Sequence, residues 1–220
     1  MIRALHVLDH SIPLHSGYTF RTAALLREQR ALGWQTFHLT SPKQGKYAAP
    51  FEEVDGLRFY RTPLPEGPLA KLPILRELAL MRRLEARLEE VAREVRPDII
   101  HAHSPVLNAL PAIKVARKLG IPVVYEIRAF WEDAAVSNGT AREGGLQYRL
   151  THWLETRAVK RADAVAVICE GLKGDLVARG VDAAKIMVSP NGVDMEMFGE
   201  PAAPNAELRA KLGLEDAEVV

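Results

Sequence analysis

The chain has 220 residues, 48% of them hydrophobic and 26% charged, with a formal net charge of +1. That length supports a substantial core in one domain or one and a half, and so balanced a charge makes no demand for a nucleic-acid partner. The one cysteine, Cys169, excludes an intrachain disulfide; inside the apolar run 164–169 it reads as a buried thiol of a reducing cytoplasm. The N-terminus turns polar too soon for a signal peptide, and no run approaches the ~20 apolar residues of a membrane span, so a cytoplasmic protein is expected.

In chain order, residues 2–8 read as a first strand, followed by a polar loop from Asp9 to Gly17. A helix over 19–31 places Ala23, Leu25, Leu26 and Leu32 at helical spacing, with Gly33 as its stop. A second strand covers 34–39, a loop 40–53, and a third strand 57–61 after the Asp55-Gly56 turn. The stretch 63–73 is rich in Pro, Gly and Leu. A long helix follows over 74–95, in which Leu84, Leu88, Val91 and Val95 fix one core face. Its first half is apolar on more than one face and carries Arg76, Arg82 and Arg83, with Lys71 just before it. This half reads either as a packed helix with solvated arginines or as a basic surface touching an anionic membrane or a lipid-linked acceptor.

From Asp98 the pattern becomes regular. Strands over 98–102, 122–127, 164–169 and 185–189 alternate with helices over 106–119, 145–161 and 170–179. Such alternation builds right-handed crossovers, hence an α/β fold with a doubly wound, Rossmann-like parallel sheet. After Pro190-Asn191-Gly192-Val193-Asp194 a Pro/Ala-rich linker begins near Gly199, then a short helix over 208–214 and the apolar start of a strand at 217–220. The expected organisation is a domain over 1–198, with 199–220 as linker and start of a second, truncated domain.

Polar groups collect at four strand ends, which this fold brings to one rim. After the first strand, Ser16-Gly17 lets backbone approach a ligand at a helix start; neither GxGxxG nor GxxxxGK[ST] occurs. After the 98–102 strand, His101 and His103 share one face, with His101 read as satisfied in the core and His103 at the rim. No further His, Cys or carboxylate cluster has ligand spacing there, so no metal is expected. The stretch PVVYEIRAFWED ends a buried strand with Glu126, Arg128, Trp131, Glu132 and Asp133, which reads equally as a ligand rim or as an Arg128–Glu132 pair closing a loop. The fourth is Asn191-Gly192-Val193-Asp194, a turn signal. His152 and Trp153 read as packing, and Cys169 as an inert thiol.

Taken together, the Ser16-Gly17 loop, the strands DIIHAHS and PVVYEIRAFW, the segment AVAVICEG and the exit KIMVSPNGVD resemble the N-terminal half of a GT-B glycosyltransferase of retaining family 4. The segments LHVLDHSIPLHSGYTFR and VDGLRFYRTP resemble a bacterial exopolysaccharide/exosortase-associated subgroup. The resemblance implies two Rossmann-like domains, this one holding the acceptor and the missing C-terminal one the nucleotide sugar. It also implies retention of configuration without a metal, with no cofactor beyond the nucleotide-sugar co-substrate, and a saccharide or lipid-linked acceptor. Arg128 stands where many relatives carry a histidine; it cannot be a base but can clamp phosphate or stabilise a leaving diphosphate. Glu126, Glu132 and His103 are candidates for orienting an acceptor hydroxyl. The expected catalytic set is therefore His103, Glu126 and Arg128, and the substrate contacts Ser16, Gly17, Trp131, Glu132 and Asn191. A nucleotide-sugar epimerase of the same architecture and a noncatalytic carbohydrate-binding module are the alternatives.

Overall fold

The computed structural model describes residues 1–45, 47, 49–66, 73–193 and 203–214. Expectations that fall on 67–72, including Lys71, on Asp194 and the start of the linker, and on the strand start at 217–220 lie outside the described residues. Residues Met1–Pro190 form one compact unit and Asn191–Val220 a second; of the second, the helix α7 (Ala206–Lys211) is described, capped by Asn205.

Among the described residues the first unit holds eight strands: β1 (Arg3–Leu8), β2 (Gln35–Thr40), β3 (Phe51–Val54), β4 (Leu57–Tyr60), β5 (Ile99–His103), β6 (Val123–Ile127), β7 (Ala164–Val167) and β8 (Ile186–Val188). They lie in the order β3-β4-β2-β1-β5-β6-β7-β8, parallel throughout except for the β3–β4 hairpin. The helices are α1 (Gly17–Ala31), α2 (Pro73–Val95), α3 (Val106–Leu119), α4 (Trp131–Ser137), α5 (Leu146–Arg161) and α6 (Glu170–Ala178). The doubly wound sheet expected from the alternating pattern is the observed fold.

The central strands are apolar because both of their faces are covered. One face packs Leu5, Val7, Ile100, Ala102, Tyr125 and Val165 against α2, α3 and α5. The predicted stripe on α2 is the buried one: Leu84, Leu88, Val91 and Val95 all lie in this core. The opposite face, toward α1, is unusual in carrying a row of histidines. Pairing sets His6 beside both His38 and His101, and His103 beside Glu126.

Four local readings are corrected. The loop expected over 40–53 contains β3, which pairs antiparallel with β4 through a turn with Asp55 and Gly56 both in the left-handed region (φ 51° and 71°); its alternation was masked by two adjacent glutamates. Residues 131–137 form α4 rather than loop. Cys169 is exposed, because β7 ends at Val167 and the thiol sits at the N-cap of α6. Leu32, likewise, is the exposed C-cap of α1 rather than part of its core face.

Beneath α5 a polar group is enclosed on the apolar face. The Tyr125 hydroxyl donates to Glu155 Oε1 at 2.6 Å, and the remaining Glu155 oxygen is buried without a partner. Burial, reinforced by the Glu132 charge and opposed by the Tyr125 hydrogen bond, pushes the Glu155 carboxyl up to about 7. A carboxyl raised in the folded state stabilises below its unfolded value and loses that contribution as pH rises through about 7. Glu155→Gln keeps an acceptor for Tyr125 and removes the ionisation. Its stability relative to the parent should therefore grow between about pH 5 and pH 8, measured by denaturant unfolding across that range.

Candidate functional site

The carboxyl edge of the sheet is organised by one carboxylate. Glu126, at the end of β6, is buried, with Arg128 Nε at 2.9 Å and Arg21 Nε at 3.3 Å from Oε1. On Oε2, His103 Nδ1 lies at 3.3 Å and His101 Nε2 at 3.0 Å, the latter off the line of a hydrogen bond. Burial alone would raise this carboxyl; in the acid range where it would take up a proton, charge on the His103 and His101 rings and on the Arg128 guanidinium more than offsets burial and holds Glu126 well below the usual carboxylate range. The two arginines tie distant segments to it. Arg128 also donates to the Tyr18 carbonyl at 3.0 Å and Thr22 Oγ1 at 3.1 Å on α1, and lies 4.4 Å above the Tyr18 ring. Arg21 donates to the carbonyls of Ser189 and Pro190, where the chain leaves β8. The Arg128–Glu132 pair that could have closed a loop is not formed.

Behind Glu126 runs a chain of imidazoles. Arg128 Nη2 is 3.0 Å from His103 Nδ1, His103 Nε2 is 3.0 Å from His6 Nδ1, and His6 Nε2 is 2.9 Å from Gln29 Oε1. A guanidinium only donates, so His103 Nδ1 is bare and Nε2 carries the proton. That proton goes to His6 Nδ1, and His6 Nε2–H goes to Gln29. Every nitrogen is used with both rings neutral, and burial holds both well below the ordinary imidazole value. His103 is fully buried and His101 is the partly exposed member, the reverse of the sequence expectation, because β5 runs one residue further than expected and keeps His103 inside the sheet. His6, from β1, joins them, and nitrogens of the three rings lie within 4.8 Å of one another. The Nδ1 lone pairs of His103 and His6 are taken up in the chain, and Arg128 places positive charge at its mouth.

In front of Glu126 the loop after β1 is open. Asp9 Oδ2 is 3.2 Å from His10 Nδ1, and His10 Nε2 is 3.0 Å from Ser16 Oγ. His10 stacks on Tyr18 at 4.7 Å between centroids. Ser16 is the N-cap of α1, accepting from Thr19 N at 3.2 Å in a reciprocal capping box. A Cβ built on Gly17 would meet nothing within 4 Å, so the helix start faces open space. Lys43, following β2, is 3.9 Å from Asp9 Oδ1 and 5.9 Å from the centre of the half-exposed Trp131 indole. Arg61, fully buried, braces this loop from below: it donates to Ser11 Oγ at 2.7 Å and pairs with Glu52 at 2.7 Å. Asp9, His10, Ser16, Lys43 and Trp131 thus form one connected polar patch with an aromatic side.

The structure brings Ser16, Gly17, His103, Glu126, Arg128 and Trp131 to this edge and separates the others. Glu132 is a correction: on the inward side of α4 it is buried and paired with Arg179 at 2.8 Å, whose guanidinium lies 3.8 Å over Phe130. Beside it α4, α5 and α6 enclose a cleft of about 460 Å³ lined by Asp133, Tyr148 and Arg179, in which Tyr148 already bonds Asp133. Asn191 is exposed and opens the second unit. Sequence reasoning passed over Arg21, Tyr18, Lys43 and His6. A histidine inside the apolar strand RALHVL was the available signal for His6; the others depend on packing that spacing does not carry.

Acid should destabilise the fold in two stages. His6, His38 and His103 have folded values lowered from 6.5, so the unfolded chain takes up protons first and stability falls as pH drops below 6.5, at about 1.4 kcal/mol per pH unit for each ring. Glu126, lowered from 4.5, adds its loss below 4.5. Glu126→Gln leaves Arg21 and Arg128 without a counter-charge and should cost about 3–5 kcal/mol at neutral pH, read by denaturant unfolding; a loss under about 1 kcal/mol would mean the carboxylate holds little together.

Comparison with known proteins agrees with the fold. Residues 16–192 match the model of the glycosyl transferase 4-like domain. A GDP-mannose-dependent alpha-mannosyltransferase from Mycobacterium tuberculosis is 28% identical over 214 residues, 96% of this chain and 52% of that protein. The chain thus spans about half the length of that relative, and 38% of the sulfoquinovosyl transferase SQD2 of Arabidopsis thaliana, at 28% identity over 95% of the chain. Among solved structures, the sucrose-phosphate synthase of Thermosynechococcus elongatus superposes with a TM-score of 0.70 at 16% identity, over 97% of this chain and 53% of that one. HepE of Anabaena, in complex with UDP and glucose, gives 0.62 at 15% identity, over 98% and 51%. With the family model covering most of its length and the doubly wound fold in agreement, the chain belongs to the glycosyl transferase 4-like domain family.

Proposed function

We propose that this chain is the acceptor-side half of a retaining GT-B glycosyltransferase that moves a sugar from a nucleotide-sugar donor to a saccharide or lipid-linked acceptor. The observation that carries the reading is the open patch of Asp9, His10, Ser16, Lys43 and Trp131 at the start of α1, of which Ser16, Lys43 and Trp131 lie inside the stretch that matches the family. Family membership favours transfer over epimerisation. A nucleotide sugar is supported by HepE, whose structure holds UDP and glucose. We place the working domain at 1–198, with 199–220 leading into the donor-binding half, and assign the protein to the exopolysaccharide-associated subgroup on the segments quoted above. It acts at the cytoplasmic face of the membrane, with the basic, apolar first half of α2 (Leu75, Leu78, Arg76, Arg82, Arg83) as a peripheral contact. No helix among the described residues is long and apolar enough to cross a membrane.

In such a transfer the bond from the anomeric carbon to the diphosphate breaks. A new one forms to an acceptor oxygen on the same face, and the hydroxyl proton leaves with the diphosphate. Each group in the patch has a fitting task. The Trp131 indole offers an apolar face to a sugar ring. His10, oriented by Asp9, and Ser16 offer hydrogen bonds to hydroxyls. The start of α1 and Lys43 offer positive potential to a phosphate. Arg128 and Glu126 act behind them as positioning residues: Arg128 is spent on Glu126, His103 and α1, and so sets where the helix start stands.

The test uses the full-length protein with UDP-, GDP- and ADP-sugars, following nucleoside diphosphate release with and without a membrane extract as acceptor source. Acceptor-dependent release is expected. Trp131→Ala should raise the acceptor KM about tenfold, whereas Arg128→Ala should lower kcat/KM by more than that through displacement of α1. Interconversion of the nucleotide sugar without acceptor would instead establish an epimerase, and sugar binding without turnover a noncatalytic module.

A further inference from the structure

Helix α5 has an outward face that neither the core nor the proposed site explains. Leu146, Leu150 and Trp153, spaced i, i+4, i+7, fall on one side of the helix and are 86%, 49% and 53% exposed. Trp153 is therefore not a packing residue, contrary to the sequence reading. Three large apolar side chains in a row are not what a solvated helix face presents.

The exposed charge on α5 and on the neighbouring α3 has one sign. The sole acid of α5, Glu155, is turned inward and fully buried, while Arg149, Arg157, Lys160 and Arg161 are exposed. The neighbouring α3 has no acid at all and adds Lys114, Arg117 and Lys118. Lys114 and Lys118 are matched by Glu85 and Glu89 of α2. Among the described residues Arg117, Arg149, Arg157, Lys160 and Arg161 have no carboxylate partner within ion-pair distance, in a chain whose net charge is only +1. Arg157 lies over the Trp153 ring at 5.3 Å, which keeps the cation and the indole in one contact zone. Arg117, Arg161 and the α3 side chains Leu110 and Ile113 line a shallow cleft of about 340 Å³ at the end of the stripe.

We infer that the outward face of α5, with Leu146, Leu150 and Trp153 flanked by Arg149, Arg157, Lys160 and Arg161, is a docking surface for an anionic lipid bilayer. The apolar row enters the boundary between headgroups and acyl chains, the indole lies at headgroup level, and the arginines meet lipid phosphates. The cationic flank of Arg149, Arg157, Lys160 and Arg161 is what selects a bilayer over a second copy of this chain, since two such faces repel. The inference goes beyond sugar transfer, which needs no such face, and rests on different residues from the contact proposed for α2.

The full-length protein is sedimented with phosphatidylcholine vesicles, with and without phosphatidylglycerol, at low and high salt. Binding is expected only to the anionic vesicles and to weaken with salt. Arg149→Gln with Arg157→Gln, both surface changes that leave the core intact, should weaken it about 25-fold, roughly fivefold per cation removed. Bromine-labelled lipid should quench a tryptophan signal that is absent in Trp153→Ser. Undiminished binding by the α5 double variant, with loss in Arg82→Gln/Arg83→Gln, would put the contact on α2 and overturn the assignment. Equal binding to neutral vesicles, no vesicle binding, or self-association through this face would overturn it as well. Activity on a soluble acceptor does not enter this readout, so the docking surface and the transferase reading fail separately.

Discussion

A carboxylate enclosed at the end of a parallel strand cannot stand alone, and the carboxyl edge of this protein is built around that constraint. Glu126 is out of water, so its charge is kept by drawing in the guanidiniums of Arg21 and Arg128. Each partner comes from a different segment. Arg21 brings α1 and the exit of β8, and Arg128 fixes the start of α1 through Tyr18 and Thr22 and draws in His103 of β5. Satisfying one charge therefore sets the position of the helix start against the sheet. The open patch of Asp9, His10, Ser16, Lys43 and Trp131 is a consequence of that placement.

The neutral histidine chain completes the same logic. Two arginines on one glutamate leave an excess positive charge at a buried place, and charged imidazoles beside it would add more. Protonation of His103 or His6 is opposed by burial first, and that of His103 also by the Arg128 guanidinium. The His103–His6 pair on the α1 face of the sheet is thus a scaffold of directed hydrogen bonds, which holds its shape because each of the two rings has only one tautomer that fits.

The sheet was legible in the sequence because covered parallel strands must be apolar and crossover helices must carry one apolar stripe. The α2 stripe of Leu84, Leu88, Val91 and Val95 is the clearest instance. The hairpin strand β3 was not legible, since Glu52 and Glu53 break its alternation at an edge where only half of each side chain is covered. At the rim, the motif EIRAFWED gave the right residues in the wrong relation. Arg128 turns back to Glu126 two residues earlier on its own strand, and Glu132, four residues on, is carried inward by α4 to Arg179. Local spacing cannot distinguish these partners. Arg21 and Lys43 are invisible for a deeper reason: each works through a contact across many residues of chain, fixed only once the sheet order is known.

The central claim is that His103 and His6 are neutral hydrogen-bond relays locked behind Glu126. The most direct measurement is nitrogen NMR of the histidine-labelled full-length protein between about pH 5 and pH 8. The account predicts that both rings keep their proton on Nε2, with Nδ1 bare, unchanged across that range. A ring that becomes charged near the ordinary imidazole value, or that carries its proton on Nδ1, would contradict it, and the edge would then be organised by something other than the Glu126 network.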